Sequence, residues 1–318
     1  MTNHIKKAFR RISLIFKDIK NLTMGGWSPM YIFWNLVWWI SWGLQVGKLN
    51  KKADKKKQYY IEKHIEKHYP NIINKYRVCE ESDIECKDFK IWVFWGQGEK
   101  NMPHLVKACY NKLKQNNRDV QFIDMNNVSE FVQLPQTVYD KLHKGELLFA
   151  HFSDILRNTL LAKYGGLWID STVWFPNKMP EFVKECVFFS PHNNKGNTKW
   201  CSYAIGSNKI GSVTFSFIRD ILTEVCINEK IWPDYLLQDR IFIYATKKIP
   251  AVKKSVNNTP DNNLERFMLF ALMNKPYDEK YYKKLISENF IFKLSYKAEY
   301  KLECDGKSTY YAKVINEQ

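Results

Sequence analysis

The chain has too little cysteine, in the wrong places, for a cysteine-based scaffold. Its 318 residues hold seven cysteines, an odd number. Cys79 and Cys86 lie too far apart for a Cys-x2-Cys pair, and no matching partners occur later. That excludes a zinc ribbon, and the cysteines read as reduced cytosolic thiols rather than a disulfide framework. There are no internal repeats and no long low-complexity segments, which excludes a solenoid. The Gly-x-Gly at 96–98 lacks the third glycine of a dinucleotide fingerprint. No small-residue cleavage site ends the N-terminal apolar run, which argues against a cleaved signal peptide. No nucleic-acid motif accompanies the pI of about 9.3.

What is present is unevenly distributed. At 45% apolar residues, the chain can bury one large core and a small appendage. The net charge is +16, of which +11 lies in the first 75 residues, where fifteen Lys or Arg face four Asp or Glu. Basicity concentrated in this way points to an acidic surface rather than to polyanions in general. Ile5, Phe9, Ile12, Phe16 and Ile19 recur at helical spacing between Lys and Arg, the pattern of a basic amphipathic helix at a membrane surface. An uncharged stretch, Asn21 to Gly47, comes next, and then a lysine cluster from Lys48 to Lys57. Pro29–Val46 is just long enough to span a bilayer, but its tryptophans would sit at the bilayer centre instead of the headgroup region. The expectation is a monotopic anchor on the cytoplasmic leaflet. A true span, or simple packing on the rest of the protein, are the alternatives.

After this region the pattern becomes α/β. Phe89–Trp95 reads as a first strand stopped by Gly96-Gln97-Gly98. Pro103 suits the first turn of a helix to about Gln115, and Asp119–Asp124 is the second strand. A long helix at about 146–164 then leads to Tyr164-Gly165-Gly166, a helix stop. Leu167-Trp168-Ile169 is a short buried strand that delivers Asp170 to its end, where open α/β sheets bind ligands. This order implies a mostly parallel sheet flanked by helices. Asp154 and Arg157, three apart, share a helix face and suit sugar hydroxyls, the one accepting and the other donating. They also suit an ordinary helical ion pair. A carboxylate at a strand end suits a divalent cation that neutralises a departing diphosphate, with Thr172 adding a hydroxyl.

The run Ser153-Asp154-Ile155-Leu156-Arg157, Tyr164-Gly165-Gly166, Asp170-Ser171-Thr172 resembles the donor site of the capsular polysaccharide synthesis protein family. That family is in turn similar to the Asp-x-Asp glycosyltransferases of family 32. Asp170-Ser171-Thr172 stands where Asp-x-Asp is usual, so one acid is missing. The resemblance is strong over about residues 89–175. It implies a GT-A-like domain and a retaining transfer from a nucleotide sugar, by analogy a UDP-sugar. The acceptor it implies is a polysaccharide or lipid-linked oligosaccharide in surface polysaccharide synthesis. By the same resemblance Asp170 holds Mn²⁺ or Mg²⁺, Asp154, Arg157 and Gly166 belong to the donor site, and Trp95 lines the base pocket with Gly96 beside it.

Further along, Val187–Ser190 and Ser202–Gly206 read as strands around a polar loop, with His192 and Trp200 at its flanks as candidates for acceptor contact. Residues 212–228 read as a helix, and Asp234–Asp239 as the start of another. Asp239 is a candidate for the missing acid or for action on the acceptor hydroxyl. Beyond residue 250 no chemistry is evident. The expected division is a membrane-associating region at 1–78 and a glycosyltransferase domain at 79–318, on the inner face of the cell membrane and without a nucleic-acid partner. The competing expectation is an inactive member of the family acting as an assembly scaffold.

Overall fold

The computed structural model describes residues 16–17, 19–193 and 200–316. Most of the expected N-terminal amphipathic helix, and positions 194–199 of the polar loop, lie outside the described residues.

The aromatic and β-branched run forms strand β1, Ile91–Phe94, buried along its whole length. Pro103 caps the helix His104–Asn116, which leads to β2, Val120–Ile123. The two strands pair in parallel, with Ile91 opposite Val120. The helix Phe149–Tyr164 ends where the Gly165 amide bonds to the Leu161 carbonyl at 3.0 Å. Gly165 and Gly166 come next with φ of +68° and +93°, conformations an L side chain rarely adopts. A Cβ on Gly166 would also strike the Lys90 carbonyl and lie 2.9 Å from Trp92 Nε1. The double glycine therefore both stops the helix and lets β3, Gly166–Ile169, lie close against β1.

β3 joins β1 in parallel, with Ile91 opposite Leu167. β5, Ala204–Ser207, pairs antiparallel on its other side, giving the order β2-β1-β3-β5. The sheet is mostly parallel, as expected, with one antiparallel edge strand. The strand expected at Val187–Ser190 is reduced to a bridge between Phe189 and Gly206. A second, smaller sheet pairs β4, Val173–Trp174, with β6, Phe292–Lys293, in antiparallel register. Val173, Trp174 and Phe292 are fully buried, so this short ladder is held by packing rather than by length.

These strands belong to one of two compact units, built from Glu80–Gln133, Leu156–Ser216 and the described residues from Ala251 on. The other unit is helical. It gathers the described residues up to Cys79 with Leu134–Ile155 and Phe217–Pro250. Two later segments fall in the same unit as the N-terminal helices, which the expected division at residue 78 does not include. Polar ties run between these segments. Lys57 meets Asp234 at 3.1 Å, His64 meets Glu229 at 2.6 Å, and the Tyr76 hydroxyl donates to Asp220 at 2.6 Å.

Within the helical unit, Pro29–Gly43 and Gly47–His68 form a helical hairpin. The first helix is inverted for a water-facing element. It buries Tyr31, Asn35 and Ser41 while exposing Phe33, Ile40 and Trp42. Leu44, Val46 and Leu49 at the tip are also exposed, beside Lys48, Lys51, Lys52, Lys55 and Lys56. Among the described residues no helix is long and apolar enough to cross a membrane.

Candidate functional site

β1 and β3 run parallel as neighbours, so the residues after their C-terminal ends emerge at one edge of the sheet. Trp95 comes directly after β1 and Asp170 directly after β3. The Asp170 backbone is fixed by its own amide, which donates to the Tyr203 carbonyl at 2.8 Å, and by the Val173 amide, which donates to its carbonyl at 2.9 Å. Trp168 lies two residues earlier on the same strand face, and its indole N–H donates to Asp170 Oδ1 at 2.9 Å.

Two cations converge on this carboxylate. Arg157 Nη2 lies 3.5 Å from Asp170 Oδ1, and Lys293 Nζ donates to Oδ2 at 3.0 Å. Lys293 also donates to Thr172 Oγ1 at 2.7 Å. Burial alone would raise the Asp170 carboxyl; the Lys293 ammonium, the Arg157 guanidinium and the Trp168 N–H outweigh it and hold the group below the ordinary carboxylate range. Arg157 is itself buried. Its Nη1 donates to the Ser202 carbonyl at 2.6 Å, and its guanidinium lies over the Trp168 ring at 5.0 Å. It thus reaches the carboxylate from the helix Phe149–Tyr164.

The remaining expected site residues are placed as follows. Gly166 sits at the start of β3, at the opposite end from Asp170, and its role is close packing under Lys90 and Trp92. It does not line the site. Three residues after Trp95, Gly98 has a φ of +84°. Trp95 is half-buried, and its N–H donates to the Asn101 carbonyl at 3.3 Å. Asp154 lies on the part of its helix that belongs to the helical unit. Asp239 lies in the first turn of the helix Leu237–Lys248 of that unit. His192, a candidate for acceptor contact, is fully buried, and its backbone bridges to Asn262.

The residues that the sequence did not signal come from beyond position 250. β6 and the chain just after it supply Lys293 to Asp170 and Tyr296 to Trp95, the two rings meeting edge to face at 5.6 Å. Tyr296 is 40% exposed, so this aromatic pair is open to solvent on the tyrosine side.

The donor set can be tested against a divalent cation. Such an ion wants several oxygen ligands with an excess of negative charge. Here one carboxylate is already shared by a lysine and an arginine, and the Thr172 oxygen accepts from the same lysine. Among the described residues no group of three or more His, Cys, Asp or Glu could hold a metal. The residues present do not fit a resident divalent ion.

A carboxylate held by two cations, near an aromatic pair at the C-terminal ends of parallel strands of an α/β protein, marks the candidate site. The capsular polysaccharide synthesis protein family matches residues 44–314, and the chain belongs to that family. It is also similar to an O-glycosyltransferase, braB, of Annulohypoxylon truncatum, at 32% identity over 95 residues. That match covers 26% of this chain and 23% of the relative, so the chain spans about a quarter of the relative's length. Among solved structures it is similar to one titled PaToxG Glycosyltransferase, at 19% identity and a TM-score of 0.38, over 64% of this chain and 83% of that one.

Proposed function

We propose that this protein is a glycosyltransferase that moves a sugar from a nucleotide-sugar donor to a polysaccharide or lipid-linked oligosaccharide acceptor. The observation that carries this reading is the Asp170 cluster at the end of β3, with Trp95 and Tyr296 beside the neighbouring strand end. A nucleotide sugar offers a flat base, a diphosphate and a polyhydroxylated ring. Stacking aromatics suit the first, and cationic donors held in place by the carboxylate suit the second. Family membership and the O-glycosyltransferase name of the curated relative support the same class. The base is taken as uracil by resemblance alone, and retention of anomeric configuration likewise.

The reading includes a location. The inverted hairpin helix and its lysine-flanked apolar tip suit the interface of an anionic bilayer, where the apolar residues enter the acyl boundary and the lysines meet headgroups. An enzyme whose acceptor hangs on a lipid would work there, on the cytoplasmic face.

The test is nucleotide release from a panel of nucleotide sugars by the full chain and by Asp170→Asn. Release from one donor is expected, reduced about 100-fold or more in the variant, the scale for loss of a preorganised polar group at a reacting centre. If no donor is bound or hydrolysed, the transferase reading fails and the scaffold reading takes its place.

A further inference from the structure

A diphosphate leaving group needs positive charge close by, and the site provides one without a metal. Lys293 is not a surface lysine that happens to reach inward. Its backbone amide donates to the Arg266 carbonyl at 2.9 Å, and the Leu294 amide donates to the Thr172 carbonyl at 2.9 Å. The register that pairs Lys293 with Val173 therefore places its side chain beside the Asp-x-Thr turn. Phe292, fully buried, anchors the strand. An ammonium has three N–H donors. One goes to Asp170 and one to Thr172, which leaves one for an incoming oxygen. The Tyr203 ring lies 5.1 Å from the ammonium, and the side chain is 25% exposed, so an anion can reach it.

Thr172 is part of the same device. A second carboxylate at that position would draw a metal. A hydroxyl instead accepts from the lysine, adds no charge, and holds the ammonium against Asp170. We propose that the Lys293 ammonium takes the place of a divalent cation, bonding the donor's diphosphate directly and stabilising it as it leaves. In the transfer, the bond between the anomeric carbon and the diphosphate oxygen breaks, and its electron pair stays on that oxygen. The acceptor hydroxyl oxygen forms the new bond to carbon, and its proton passes to the departing diphosphate. Lys293 keeps its own protons throughout and offers one as a hydrogen bond to the oxygen that gains charge. Asp170 and Thr172 act as positioning residues for the ammonium.

This inference rests on the transferase reading, and binding separates the two. Titration calorimetry is run on the full chain with UDP, GDP, CDP, ADP and dTDP, in excess EDTA and again with Mn²⁺. One diphosphate is expected to bind in EDTA, with an affinity changed by less than about twofold when Mn²⁺ is added. Lys293→Gln should weaken that binding about tenfold or more, the scale of a charge-assisted hydrogen bond, and Lys293→Arg should restore most of it. Donor hydrolysis in EDTA should fall in step with binding. Binding that appears only with Mn²⁺ would overturn the role of Lys293 and leave the transferase reading standing. Unaltered metal-free binding by a folded Lys293→Gln protein would do the same. If Lys293→Gln does not fold, the EDTA and Mn²⁺ comparison on the unaltered protein decides alone. No binding of any diphosphate in either condition would overturn both.

Discussion

His151 is buried in the helical unit, its ring stacked on Trp232 at 4.9 Å, and neither ring nitrogen has a hydrogen-bond partner among the described residues. Burial pushes its pKa from 6.5 down to about 4, against a weaker opposing pull from Asp234. Linkage sets the sign of the effect on stability. Below pH 6.5 the unfolded chain takes up a proton that the folded imidazole refuses. Stability is therefore full above that pH and falls as the pH drops, the loss being complete once the folded group titrates near 4. Between pH 7 and pH 5 this one residue should cost about 2 kcal/mol. Urea unfolding of wild type and His151→Phe at the two pH values measures it, since phenylalanine cannot titrate. Equal acid sensitivity of the two proteins would show that the burial of this imidazole is not what the chain resists.

The helical hairpin makes its prediction as an element. If its tip sits in a headgroup layer, each exposed lysine contributes about 1 kcal/mol of attraction to anionic lipid. Lys51→Gln and Lys55→Gln should then each lower partitioning onto phosphatidylserine vesicles about fivefold, with the effect shrinking at high salt. Trp42→Ser should weaken binding even at high salt, because its contribution is apolar. Salt-independent binding that ignores the lysines would sink the electrostatic part. Elements also separate what the sequence discloses from what it hides. The helix, glycine corner and strand of 149–169 are readable because every signal is local: i, i+3 spacing, paired glycines and a buried apolar triplet. β1, β2 and the intervening helix are readable for the same reason. β6 is not, because a strand of two residues has no period to detect. Its lysine meets a carboxylate 123 positions away, a relation that exists only once the chain has folded. Gly166 misleads for the opposite reason: it is near Asp170 in sequence but not in space, because a strand puts its two ends apart.

Over the whole molecule, each unit is assembled from three separate stretches of chain. The N-terminal helices are thus not a detachable module, since without them Glu229 would lose both His64 and Tyr69, and Asp234 would lose Lys57. An uncompensated buried charge costs about 3 kcal/mol or more. The pairing of β4 with β6 has a consequence of another kind. It sets positions 172 and 293 against each other, so the two form a single heritable character rather than two. An acid at 172 alone would bind the ammonium too firmly, and loss of the lysine alone would leave the diphosphate unmet. Across the family, lineages with a hydroxyl at 172 should therefore keep a cation at 293, and lineages with a second acid should have discarded it. Counting the four combinations in related sequences checks this. A lysine that persists regardless of its neighbour would mean that selection never saw the pair, while two well-populated combinations and two nearly empty ones would record an ancestral exchange of metal for amine.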